Sequence, residues 1–449
     1  MTLPPRQPTK AEVIDDSVTA LSTLLLVAAL AGGLVGLVGG SFRWCLDTLY
    51  TVLLSLLQTL HTAESTNLLP GWLILPVLAA LLVAGARALV RLEPTAAGSG
   101  IQHVEAVMHG QADPAPLRTL PVKFIGGLLA MAPGLALGRE GPTVQMAAII
   151  GTQCGRLARL NREDRFMLYT AVAGAGLSVA FNAPLAGAAF VLEEVARRVT
   201  LRRLLVTLTA VATSIAVLRS QFGNATDFSV TLSNTLSPAQ IVLMTALGAL
   251  CGLLGVMYNR SVVAGLNLFA CAPRIPPEAK AATVGALIAL VAWWHPDWVG
   301  SGELHVQTIF DHRWTMAPLL LLLVVRWILG VVSYAPGVPG GLFAPLLLVG
   351  SAIGALLAMT LHATTGGAFD STAFAMIGMA GFFAAVVRAP FTGILLAVEM
   401  TGNVSLMVPL LLASVAAVAV ATGLGNPPIY DTLRARMIQG RRQTASPPV

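Results

Sequence analysis

Apolar stretches succeed one another along this chain almost without a soluble insert, at roughly 17–42, 70–90, 121–137, 142–160, 167–192, 204–219, 237–257, 280–295, 316–333, 341–362, 373–386, 390–400 and 403–425. A helix needs about 20 apolar residues to span a bilayer. Several of these runs are shorter, or are broken by Gly and Pro near 138–142, 182–187, 336–345 and 388–393. Broken helices at membrane depth are tolerated where they line a cavity, and they commonly build transporter sites. The composition agrees: 56% of residues are hydrophobic and 11% charged, against roughly 25% charged in soluble domains. The chain is therefore expected to be an all-α polytopic membrane protein.

The polar first sixteen residues are expected to form a cytoplasmic N-terminal segment, with residues 17–40 a retained membrane helix rather than a cleaved signal. The net charge of +6 is concentrated at the ends of apolar runs: Arg156 to Arg165, Arg197 to Arg203, and Arg434 to Arg442. That pattern is topological, and it places both termini in the cytoplasm. Nucleic acid would need a continuous basic face, and none is present. Cys45, Cys154, Cys251 and Cys271 lie in or beside apolar segments without metal spacing, so they read as small hydrophobes. No metal or cofactor is expected. Only nineteen residues follow Tyr430, and no nucleotide-binding domain is expected after it.

An internal repeat organises the chain. APLAGAAFVLEE (183–194) aligns with APFTGILLAVEM (389–400), each with Gly three residues after the Pro and Glu six residues later. Upstream, GREGP (138–142) aligns with GLFAP (341–345). Two membrane repeats, 17–228 and 229–433, followed by a basic cytoplasmic tail at 434–449, are the expected organisation. Similarity alone leaves open whether the repeats are parallel or inverted.

Three glycine-rich turns each open an apolar helix: AAGSGIQ (96–102), GREGP and PGGLFAP (339–345). The first N–H groups of a helix have no intrahelical partner, and the helix dipole makes that end partly positive. Several such starts converging in a low-dielectric site would hold an anion through partial charges, without the tight grip of a Lys or Arg. Glu140, on the second turn, is itself an anion and would compete for that site. Its protonation would withdraw it and open the path.

GSG (98–100), GREGP and GLFAP in this order, with an isolated Tyr430 near the C-terminus, closely resemble the chloride channel and chloride/proton exchanger (CLC) family. The resemblance runs from about residue 20 to 440. It implies two inverted repeats of tilted and broken transmembrane helices, and a homodimer with one anion pathway per subunit. It also implies a multi-pass protein of the plasma (inner) membrane of a prokaryote. Carried over by motif, Ser99 and Tyr430 supply hydroxyls to the anion, Leu342 and Phe343 supply main-chain N–H groups, and Glu140 is the gating and external proton glutamate. Gly98, Gly100, Arg139 and Gly141 are supporting members. Glu194, second acid of the 193–194 pair, resembles the internal proton-transfer residue of the exchangers, with Glu105 and Lys123 as charged neighbours. Serine at position 99 resembles the chloride-preferring branch. Gln102 departs from the family's usual proline.

The implied function is secondary transport of chloride against protons, with a passive voltage- or pH-gated chloride channel of the same fold as the alternative. A serine hydrolase built on Ser99 is disfavoured: its possible bases, His103 and His109, lie four and ten residues along the same segment instead of on a separate facing helix. A cation-coupled transporter would present helix C-termini to its ion, whereas these turns sit at helix starts.

Overall fold

The computed structural model describes residues 10–65, 70–195, 200–232 and 237–445. Residues 1–9 of the expected N-terminal segment, Arg197 and Arg198 of the second basic cluster, and the last four residues of the tail lie outside the described residues. The described chain comprises seventeen α-helices, and its one isolated bridge joins Gly138 to Gly341.

Eight helices form the first half: α1 (Lys10–Ser65), α2 (Gly71–Leu92), α3 (Ile101–Met108), α4 (Thr119–Met131), α5 (Glu140–Leu157), α6 (Arg162–Phe181), α7 (Pro184–Phe190) and α8 (Leu201–Phe222). Eight more repeat that order: α9 (Pro238–Ala270), α10 (Pro277–Trp294), α11 (Glu303–Phe310), α12 (Met316–Tyr334), α13 (Phe343–Thr365), α14 (Ser371–Val387), α15 (Pro390–Thr401) and α16 (Met407–Gly423). A final helix, α17 (Ile429–Ala445), carries Tyr430. Packing repeats as well. α5 lies against α6 as α13 lies against α14, and α1 against α8 as α9 against α16. Across the halves, α2 meets α10 and α7 meets α15.

Six helices (α1, α2, α8, α9, α12 and α13) are long and apolar enough to cross a membrane. On α12, Leu320, Leu321, Val324 and Ile328 are exposed, as expected of a face turned to lipid. The central helices differ in kind. α6 is buried without interruption from Met167 to Phe181, a run rich in Ala and Gly. Small residues let helices approach closely where lipid supplies no hydrophobic drive. At the α13–α14 crossing a Cβ on Gly354 would lie 2.0 Å from the Phe374 carbonyl oxygen.

α1 departs from the sequence reading. It begins at Lys10, inside the expected polar segment, and continues past residue 42 to Ser65. Arg43 and Asp47 interrupt the apolar run there, but both have partners: Arg43 pairs with Asp227 at 2.9 Å, and Asp47 with Arg139 at 3.7 Å. Satisfied charges let the helix proceed.

The repeats are inverted, and the contacts between α7 and α15 establish it. Glu193, just beyond α7, accepts the N–H groups of Phe391 and Thr392 at 2.8 and 2.7 Å, at the start of α15. Glu399, near the end of α15, accepts those of Leu185 and Ala186 at 2.9 and 2.8 Å, at the start of α7. Each helix begins where the other ends, so they run antiparallel. An acid at its own helix's C-terminus opposes the dipole, but each carboxylate here serves the partner's N-terminus. Glu193→Ala and Glu399→Ala should each lower stability by about 1–2 kcal/mol. Denaturation of the detergent-solubilised protein measures it, and unchanged midpoints would show that the caps do not contribute.

Candidate anion site

The site is built where helix starts converge. Gly98 and Gly100 adopt φ of 62° and 92°, a left-handed geometry open to glycine, and they bracket Ser99 at the head of α3. The carbonyls of this turn are held from behind. Lys123 on α4 donates to Ala96 O at 3.0 Å and to Gly98 O at 2.6 Å, and Gln145 on α5 donates to Thr95 O at 2.7 Å. Gln102 accepts the Gly100 N–H at 3.1 Å, so a side-chain hydrogen bond braces the turn where a proline ring would otherwise stiffen it.

The three turns join through their backbones. Gly98 N donates to Gly337 O at 3.3 Å and Gly340 N to Gly98 O at 3.1 Å. Gly138 and Gly341 exchange two bonds, of 2.9 and 2.7 Å. GREGP and GLFAP, one from each repeat, are thereby locked antiparallel, and α5 and α13 start from the same point. Gly141 allows the approach, since a Cβ there would lie 2.2 Å from Ser99 Oγ.

Inside this unit Ser99 and Tyr430 are fully buried, and their hydroxyls interact with each other. Phe343, first residue of α13, sets its ring 5.6 Å from that of Tyr430 and 4.7 Å from that of Phe383. Leu342 and Phe343 are both fully buried at this helix start. The Glu140 carboxylate enters the same region, where its Oε1 accepts the Ala344 N–H at 2.8 Å. A carboxylate therefore sits on a helix-start amide beside two buried hydroxyls. Such groups bind an anion by donating hydrogen bonds and add no net charge.

At one end of this unit, Glu194 is buried in a π-turn, Val191–Val195, and its carboxyl interacts directly with that of Glu105. Arg434 on α17 pairs with Glu105 at 3.3 Å and with Asp431 at 2.6 Å. Here the arrangement differs from expectation. Lys123 spends its ammonium on backbone carbonyls, and the cation bonded to Glu105 is Arg434, which in the sequence reads only as part of a basic topological cluster. At the opposite end, Arg139 pairs with Glu303 at 3.2 Å and donates to Ala180 O at 2.9 Å.

Gln145, Ala344, Arg434 and Glu303 escape the sequence reading. Gln145 carries a signal, being a polar side chain within an apolar helix. Glu303 carries a better one, because GSGELHV (300–306) echoes GSGIQHV (98–104).

Inverted repeats whose broken helices meet on a buried, donor-lined site define a membrane transport protein for small anions. The chain belongs to the voltage gated chloride channel (CLC) family, matching it over residues 77–422. It is 36% identical over 432 residues to the H+/Cl− exchange transporter ClcA of Vibrio cholerae serotype O1, covering 94% of this chain and 91% of that one. The protein of the same name from Vibrio parahaemolyticus is 35% identical over 433 residues, covering 93% and 90%. A slow cyanobacterial Cl−/H+ antiporter of known structure superposes with a TM-score of 0.88 at 30% identity, over 93% of this chain and 98% of its own. A eukaryotic CLC transporter shares the fold, with a TM-score of 0.79 at 24% identity, over 93% and 74%.

The contact between Gly141 and Ser99 yields a test. Gly141→Ala should destabilise the protein by roughly 1–3 kcal/mol through overpacking. Ser99→Gly in the same chain should restore part of that loss. Strict additivity of the two changes in a melting experiment would show that they do not touch.

Proposed function

We propose that this protein exchanges chloride for protons across the membrane, with one pathway in each subunit of a homodimer. The observation that carries the reading is the Glu140 carboxylate on the Ala344 N–H at 2.8 Å, an acid seated where helix starts and buried hydroxyls favour an anion. Chloride bound near Ser99, Tyr430 and the start of α13 competes with that carboxylate for the same donors. A proton neutralises Glu140, removes its preference for the seat and lets chloride through. Return of the carboxylate delivers the proton and closes the path. Coupling thus arises from two anions contesting one site. The Vibrio and cyanobacterial relatives, named as exchangers, support it.

The proton needs an inner route of its own, because a site lined by positive helix ends repels it. Glu194 is the inner proton residue in this reading. Glu105 beside it can share the proton, and Arg434 offsets the charge of the pair when both are ionised. The supporting residues act on geometry: Gly98, Gly100 and Gly141 make room, and Lys123 positions the Ser99 turn. The repeats at 17–228 and 229–433, the cytoplasmic tail at 434–449, cytoplasmic termini and a prokaryotic inner membrane complete the proposal.

Purified protein in liposomes, with chloride and proton movement recorded together, tests it. Wild type should drive protons uphill on a chloride gradient. Chloride movement without proton movement would make the protein a passive channel. Glu140→Gln should keep chloride flux and lose both proton coupling and pH dependence; continued proton pumping by this variant would remove Glu140 as the gate. Glu194→Gln, with Glu140 intact, should also keep chloride flux while uphill proton transport falls at least tenfold, roughly the loss expected when an acid–base group is removed. Pumping at the wild-type rate would take Glu194 out of the path.

A further inference from the structure

The Ser99 turn has a mirror image on the outer side. Gly300, Ser301 and Gly302 repeat GSG, with φ of 78° at Gly300 and 96° at Gly302, and α11 starts from this turn as α3 starts from the other. Even the supporting cation recurs. Arg326 on α12 donates to Trp298 O at 3.0 Å and Gly300 O at 2.8 Å, as Lys123 on α4 donates to Ala96 O and Gly98 O. The mirror breaks at two positions: Gln102 is matched by Leu304, and the other exchange brings in a charge. Position 101, first in α3, is Ile, whereas position 303, first in α11, is Glu.

Glu303 reaches the residue that precedes the gate. Its Oε2 lies 3.2 Å from Arg139 Nη2, while its Oε1 is buried without a hydrogen-bond partner among the described residues. Both side chains line an outer cavity of about 510 Å³, together with Asp47, Asp227, Asp297 and Ser301. The other charges acting on the pair are Arg43 and Asp47 on α1, Asp227 after α8, and Glu140 itself. Asp297 and His305 face the same cavity, Asp297 exposed and His305 buried.

We propose that Glu303 is a positioning residue that draws the Arg139 charge outward, and so sets the external pH at which Glu140 takes up its proton. Arg139 is covalently next to Glu140, and a guanidinium stabilises any carboxylate it faces. While Glu303 is ionised, Arg139 is shared outward with Glu303 and Asp47, and its hold on the ionised gate is weakened. Neutralising Glu303 leaves the cation less engaged. The ionised gate is then favoured, and more acid is needed to open it. The sign is fixed: loss of Glu303's charge moves the opening midpoint to lower external pH.

This inference rests on the reading of Glu140 as the gate, and the experiment separates the two. Chloride flux is measured in right-side-out vesicles at fixed internal pH while external pH is varied. Glu303→Gln should move the midpoint down by roughly 0.5–1 pH unit, the scale of a nearby charge. Glu303→Asp, which keeps the charge, should restore most of it. Asp297→Asn removes an exposed charge from the same cavity wall and should move the midpoint much less, because water and salt screen it. Arg139→Gln should move the midpoint the other way, and in that background Glu303→Gln should have a smaller effect, the remainder being the direct repulsion of Glu140 by Glu303. This arm also serves if Glu303→Gln alone fails to assemble. A wild-type midpoint in Glu303→Gln, or a shift equal to that of Asp297→Asn, overturns the role of Glu303 while leaving the gate standing. Persistent pH dependence in Glu140→Gln overturns the gate and the inference with it.

Discussion

The rest of the structure depends on the double hydrogen bond between Gly138 and Gly341. It fixes the starts of α5 and α13, one from each repeat, at a single point in the protein interior. Helix starts are weak centres of positive potential, each equivalent to about half a charge at most. Singly they hold little. Brought together in a medium of low dielectric, they stabilise an anion appreciably while leaving it free to depart. In the proposed function, a bonded contact between two turns thereby converts helix ends into an anion site.

Full charges are kept one layer back. Lys123 and Arg326 reach backbone carbonyls, and Arg139 and Arg434 are engaged by acids. A buried cation with carbonyl partners satisfies its hydrogen bonds and stiffens the turn it grips. The two ends of the proposed pathway differ in how they use acids. At one, Glu105 and Glu194 stand together against one arginine. At the other, Glu303 and Asp47 contend for another.

Much of this was legible in the chain itself. GREGP and GLFAP give the two helix starts, because a Gly turn followed by Pro reports a sharp entry into a helix whatever the tertiary context. Ser99 and Tyr430 enter through the resemblance; their burial, with Ser99 against Gly141, is a matter of packing, which no local pattern carries. Glu193 and Glu399 show the limit well. The sequence marks them as repeat mates, and their spacing from Ala-Pro is identical, but the partner of each is the opposite helix's N-terminus. That depends on the repeats being inverted, which similarity alone does not decide. Arg434 was misread for a related reason. A basic residue near a cytoplasmic boundary looks topological, and only the path of α17 past α3 brings it to Glu105. Arg43 and Asp47 appeared to end the first apolar run, because their partners lie on distant segments.

The reciprocal caps carry a consequence for how the protein is made. The α7 start receives its carboxylate from a residue 214 positions later in the chain. During synthesis, the first half therefore enters the membrane with the N-terminus of α7 unfinished, and it stays so until α15 has been translated and packed alongside. The same holds at the centre, where Gly138 waits for Gly341. Neither half is a self-sufficient folding unit, although each has the full set of eight helices. These caps and the central pair of bonds can therefore close only once both halves are inserted and packed together.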